Sequence, residues 1–168
     1  MKLFNLTTQQ ILIIGKSLFF LLIPFILIWV EGQQLPSISE YYHYQGALFG
    51  LLLGSVALLF FDTGFNNRNR WFEMTIGASM IGVVLFNNHD YHVLHYGFAG
   101  YFFLGCIFNM ICFSSGRYRA LMISIGVFIL LSMVGGIILD WYSTLWMEFI
   151  GMVPISIHKI LETIGKID

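Results

Sequence analysis

The chain has 168 residues, of which 58% are hydrophobic and only 10% charged, and phenylalanine alone contributes 17. A soluble domain of this size carries about 25% charged residues and has no core large enough to hide so much apolar surface, so a water-soluble globular protein is excluded and a lipid-embedded one expected. The net charge of −1 offers no electrostatic basis for a nucleic-acid partner.

A membrane-crossing helix needs about 20 mostly apolar residues. The first candidate runs from Lys16 to Val30 and is extended inward by Ile11 to Gly15. No small-residue cleavage site follows it, so it reads as a retained helix, not a signal peptide. The second runs from Tyr44 to Phe61, the third and shortest from Trp71 to Phe86, and the fourth from His92 to Phe113. The fifth runs from Leu121 to Leu139, and the sixth from Leu145 to about Ile164, where Pro154 is expected to kink it. Short loops favour an up-and-down bundle. The expected fold is therefore all-α: a polytopic membrane bundle of about six helices, with residues 1–168 as a single transmembrane domain.

Along the second span Gly46, Gly50 and Gly54 recur every four residues, a smooth face that can pack within the monomer or hold a second copy of the chain. Cys106 and Cys112 share the fourth span and read as buried thiols. Cytoplasmic loops retain Lys and Arg. Six spans put Lys2, Lys16, Arg68, Arg70, Arg117, Arg119, Lys159 and Lys166 on one side, an outcome of chance on the order of one time in a hundred. Both termini are accordingly expected inside, in the inner (cytoplasmic) membrane of a bacterium. Trp29, Tyr41, Tyr42, Tyr44, Tyr91, Tyr96, Trp141, Tyr142 and Trp146 mark the outer boundary, where amphipathic rings favour the headgroup layer.

The same topology gathers polar residues at the outer boundary. His43 ends the first outer loop, and His89, His92 and His95 surround the start of the fourth span with Asp90 among them. Glu40, Ser37 and Ser39 lie just upstream of His43, Asp140 ends span five, and Glu148 lies one turn into span six. On a helix His92 and His95 share a face and can ligate one metal ion. A third ligand is expected from His89 or His43, or from Glu40, Asp140 or Glu148. Three protein ligands and one open position is the catalytic zinc pattern. Such an ion activates water, with a nearby carboxylate as base. A pH-sensitive hydrogen-bonded cluster, or interfacial histidines with no special chemistry, are the alternatives. A carboxylate inside a span is costly and usually functional, which singles out Glu148. At the inner side, His158 with Glu162 and Glu73 with Arg70 read as local pairs. Asn109 and Ser156 read as interhelical hydrogen-bonders, and Asn66 to Arg70 as a solvated turn.

The stretch Leu35, Pro36, Ser37, Ile38, Ser39, Glu40, Tyr41, Tyr42, His43 resembles a Pro-Ser-Ile-Ser-x-Tyr-Tyr segment found after the first helix in a family of small bacterial multi-span membrane proteins. That family also has a boundary histidine group opening a later helix, here His89, His92 and His95. The layout distantly resembles the CREST superfamily of membrane hydrolases, which have seven spans and hold zinc through three histidines beside a serine and an aspartate. The resemblance implies corresponding roles for Ser37 or Ser39, for Asp90 and for the histidines. This chain has six predicted spans, and its last span has no His-x-x-x-His pair. The expected function is a metal-dependent hydrolase of membrane lipids. His92 and His95 would hold zinc with His89 or His43, and Asp90, Glu40 or Glu148 would orient ligands or act as base, with Ser39 also in the site. The alternative is a non-enzymatic scaffold, sensor or effector subunit that forms homo-oligomers through Gly46, Gly50 and Gly54.

Overall fold

The computed structural model describes residues 6–66, 70–114 and 116–165, without the side chains of Asn66, Arg70 and Arg117. The predicted basic residues Lys2, Arg68 and Lys166, and most of the expected solvated turn, lie outside the described residues. Six α-helices follow one another: α1 (Thr8–Glu31), α2 (Tyr41–Asn66), α3 (Arg70–Leu85), α4 (His92–Phe113), α5 (Arg119–Leu139) and α6 (Thr144–Thr163). Single 3-10 turns precede α2 (Ile38–Glu40) and α5 (Gly116–Tyr118). Among the described residues four segments are long and apolar enough to cross a membrane: Thr8–Glu31, Ile38–Phe65, His92–Phe113 and Arg119–Leu139. The apolar part of α3 is shorter, and α6 carries Glu148, Lys159 and Glu162.

Local chemistry sets the helix ends. Thr7 and Gln10 form a capping box at the start of α1, each satisfying an amide that the first turn leaves unpaired. Gly32 ends the helix at φ +76°, a left-handed conformation that a Cβ would strain. Pro24 and Pro154 lie within α1 and α6, and both helices continue through them. The break falls instead in α2, where Gln45 leaves helical geometry at φ −135° and ψ 46°.

The helices form a closed ring. Each packs on the next in sequence, and α1 packs on both α2 and α6. Phe102 of α4 lies at the centre, edge-to-face with Phe20 of α1 at 6.2 Å and with Phe60 of α2 at 5.4 Å. Side chains such as Leu51, Phe128, Leu131, Ile137 and Ile138 remain exposed around the outside. Apolar surface on this scale would be costly in water and is what lipid-facing helices present.

Glycines on α3 to α6 set the close contacts. A Cβ on Gly77 of α3 would lie 3.0 Å from the Ala57 carbonyl oxygen and 3.2 Å from the Phe60 Cβ, so α3 rests directly on the α2 backbone. The predicted small-residue face on α2 is used less. A Cβ on Gly50 would meet Val84 of α3 at an ordinary 3.6 Å, and one on Gly54 would meet nothing within 4 Å.

The bundle contains a charged network where only local pairs were expected. Lys159 and Glu73 are both fully buried, and the Lys159 ammonium donates to Glu73 at 2.5 Å and to Glu162 at 2.9 Å. Thr63 of α2 and Asn109 of α4 also donate to Glu73. Four helices thus share one satisfied carboxylate, the condition under which buried charge is tolerated. Lys16 pairs with Asp62, joining α1 to α2. His158 does not pair with Glu162; its Nδ1 lies 3.4 Å from the sulfur of Met122. Asn109 bridges helices as expected, whereas the Ser156 hydroxyl has no hydrogen-bond partner among the described residues. Cys106 is buried as expected, but Cys112 is exposed.

Candidate functional site

The segment between α1 and α2 folds back over the end of the bundle where α6 begins. Tyr41, fully buried, organises it: its hydroxyl donates to the Gln33 carbonyl at 3.0 Å and accepts from the Leu35 amide at 3.0 Å. The segment then clamps onto the start of α6 from both directions. The Leu145 amide donates to the Pro36 carbonyl at 2.7 Å, satisfying an amide that α6 leaves unpaired. The Ile38 amide donates to the Glu148 carboxylate, also at 2.7 Å. Ser37 and Ser39 are buried, with their hydroxyl oxygens 3.0 Å apart.

Beneath this segment lies a cavity of about 40 Å³, room for two or three waters at roughly 10–15 Å³ each. Its walls are mainly Phe20, Phe49, Leu53, Phe102, Phe103 and Met152, and its polar groups come from Ser39, His95 and Glu148. Three elements remote in sequence therefore place a hydroxyl, an imidazole and a carboxylate on one apolar space. His95 is buried, and its Nδ1 lies 2.7 Å from the Phe86 carbonyl oxygen. A carbonyl only accepts, so Nδ1 carries the proton and Nε2 keeps a lone pair.

The other expected site residues lie outside this cavity. His92 is exposed, with its ring centre 4.6 Å from that of Tyr96. The first turn of α4 thus directs one histidine outward and the other inward, although the two are three residues apart. His43 and His89 meet at the surface, edge-to-face with ring centres 5.4 Å apart. Asp90 Oδ1 lies 3.3 Å from His89 Nδ1, and Asp90 Oδ2 accepts from Asn87 at 2.8 Å. Hydrogen bonds from Asn87 and His89 hold the Asp90 carboxyl below its ordinary value, which makes it a weak base at neutral pH. Glu40 accepts from Asn88 at 3.2 Å, tying the turn before α2 to the α3–α4 loop. Asp140 ends α5 in a left-handed conformation at φ 52° and is exposed.

Among the described residues no three His, Cys, Asp or Glu side chains stand close enough to hold a metal ion together. The residues do not fit the expected three-ligand zinc centre: His95 is committed to the Phe86 carbonyl inside, while His43, His89 and His92 lie outside. The sequence had placed Ser39, His95 and Glu148 within one wider cluster with His43, His89, His92, Asp90, Glu40 and Asp140, and did not single out these three. Their grouping, and the part Tyr41 plays in holding Ser39, depend on long-range contacts that no local spacing signals.

No curated protein and no solved structure matches the chain. Residues 22–163 match the model of a family of unknown function, DUF7103, and they include the 33–40 segment, the cavity wall other than Phe20 and the clamp on α6. The chain belongs to this DUF7103 family.

Proposed function

We propose that this protein is a membrane-embedded hydrolase of a lipid or lipid-linked acyl compound, with Ser39 as nucleophile and His95 as general base. The observation that carries the reading is the convergence of Ser39, His95 and Glu148 on one otherwise apolar cavity. A serine hydroxyl is a weak nucleophile until a base takes its proton. Nε2 of His95 accepts that proton as the Ser39 oxygen bonds to the acyl carbon, and returns it to the leaving group. Water then releases the acyl group by the same route. Glu148 is a positioning residue: through the Ile38 amide it fixes the backbone just before Ser39. The small, aromatic-walled cavity suits the reacting carbonyl of an apolar substrate whose remainder stays in the bilayer.

We orient the bundle with both termini in the cytoplasm of a bacterial cell, from the one-sided distribution of basic residues, so the cavity opens at the outer leaflet of the inner membrane. In proteoliposomes, Ser39→Ala is expected to abolish release of fatty acid from fluorescent phospholipid or acylglycerol. His95→Gln is expected to lower it about 10²–10⁴-fold, the contribution of a general base. Unchanged release by Ser39→Ala would sink the assignment.

A second reading, a homo-oligomeric scaffold or sensor subunit, draws on the open space at Gly54. There Gly54→Ile would shift the oligomeric state in detergent without unfolding the chain. An unchanged state would count against this reading.

A further inference from the structure

Glu73, fully buried, and Glu148, half-buried at the cavity, are answered very differently by their surroundings. Glu73 accepts from the Lys159 ammonium, the Thr63 hydroxyl and the Asn109 amide. Glu148 lines the cavity with Phe20, Phe49, Phe102 and Phe103, and the Ile38 amide is its one hydrogen-bond donor among the described residues. No cationic side chain among the described residues pairs with it. A carboxylate in apolar surroundings is tolerated when a counter-ion or several donors meet it. Glu73 has both, and Glu148 has a single amide.

The rest of the cavity's polar lining shares this bias. His95 gives its Nδ1 proton to the Phe86 carbonyl and can only accept through Nε2. Ser39 brings one hydroxyl, which already shares a hydrogen bond with Ser37. The lining is therefore rich in acceptors and poor in donors. An ester carbonyl brings only another acceptor. A primary ammonium brings three N–H donors and the positive charge that Glu148 lacks, and phenylalanine rings attract the same charge. The volume agrees with this. About 40 Å³ is room for two or three water-sized groups at roughly 10–15 Å³ each. An ammonium nitrogen and the carbon that bears it fit that space, whereas a trimethylammonium group on its carrier carbon overfills it.

We propose that the cavity is a binding site for a primary ammonium group, with Glu148 as its counter-ion and the phenylalanine walls around it. A lipid headgroup or a free short amine can carry that group, and both present the same chemistry. Binding does not require Ser39 to act as a nucleophile. Where Ser39 does act, the inference rests on that reading and narrows the substrate to an amine-bearing acyl lipid.

Protein in detergent is titrated with methylammonium chloride and, at equal ionic strength, with tetramethylammonium chloride. Unfolding temperature is followed, because a ligand of the folded state raises it. Methylammonium is expected to raise it saturably, and tetramethylammonium to leave it unchanged. Glu148→Gln keeps an acceptor for the Ile38 amide but loses the charge. It should weaken methylammonium binding by about 10–100-fold, the loss of a hydrogen bond to a charged group. Asp90→Asn, which alters a carboxylate outside the cavity, should bind as the unaltered chain does. Micelles doped with phosphatidylethanolamine or phosphatidylcholine separate the two sources. A rise with phosphatidylethanolamine alone, to which methylammonium adds nothing, assigns the group to a lipid headgroup, and a rise with methylammonium alone assigns it to a free amine. Equal responses to methylammonium and tetramethylammonium, an unchanged response in Glu148→Gln, or no saturable rise with any amine would each overturn the proposal. None of these readouts uses turnover. Fatty-acid release that needs Ser39 yet shows no preference for phosphatidylethanolamine, with no methylammonium binding, would remove the ammonium site and leave the hydrolase standing. Should Glu148→Gln fail to fold, the comparison of the two ammonium salts on the unaltered chain decides alone.

Discussion

Tyr41 fills a buried position with a single polar atom, and that atom holds two backbone groups of the segment above the cavity. Removing it takes a partner from the half-buried Leu35 amide and from the carbonyl of exposed Gln33, at about 0.5–1.5 kcal/mol per hydrogen bond. Tyr41→Phe should therefore lower the unfolding temperature, and should lower turnover as well if Ser39 is the nucleophile. Asp90 makes the opposite kind of contribution, exposed and dependent on charge. Its carboxyl is lowered below the ordinary value in the folded state, so its stabilisation is present above the unfolded-state value and lost as pH falls through the folded one. The difference in unfolding temperature between Asp90→Asn and the unaltered chain should accordingly be present at neutral pH and vanish in acid. A carboxylate in an apolar stretch is conspicuous in any sequence, which is why Glu148 was legible. His95 was not separable from His92, because which of two neighbouring histidines faces inward depends on where α3 and α6 pack.

The helices themselves were largely written in the hydropathy of the chain: the six observed elements match the six predicted ones in order, and α4 matches at both ends. The irregular pieces between them were not. The 33–40 segment has neither helical nor strand periodicity, and its conformation comes from Tyr41, Leu145 and Glu148, the last two more than 100 residues away. Helix contacts were misjudged for a related reason. A repeat of glycines on α2 is easy to see, whereas the contact of α3 with the α2 backbone uses the single Gly77 on α3. Gly77→Leu should destabilise the protein by about 1–3 kcal/mol through overpacking against α2, while Gly54→Leu should leave monomer stability nearly unchanged. Thermal unfolding of the two variants in the same detergent tests the contrast, and equal losses would refute it.

Across the whole molecule, the buried Lys159–Glu73 pair joins parts of the bundle that hydropathy cannot relate. Basic residues near span ends were read as orientation signals, and Lys159 is also an internal partner. Breaking a buried pair from one side strands the other charge and costs about 3–5 kcal/mol. Lys159→Met should therefore be severely destabilised, and adding Glu73→Gln to it should restore part of the loss. A double variant less stable than Lys159→Met alone would show that Glu73 is held by its other donors, Thr63 and Asn109, without need of the ammonium.

The ring also has an order in time. Gln10 in the first turn of α1 donates to the Thr163 carbonyl in the last turn of α6, and the Ile38 amide waits for a carboxylate 110 residues further along the chain. During synthesis α1 and the 33–40 segment are made well before either partner exists. The 33–40 segment is therefore held over the cavity only after the final helix has packed, so a half-made chain has no closed ring and no assembled cavity.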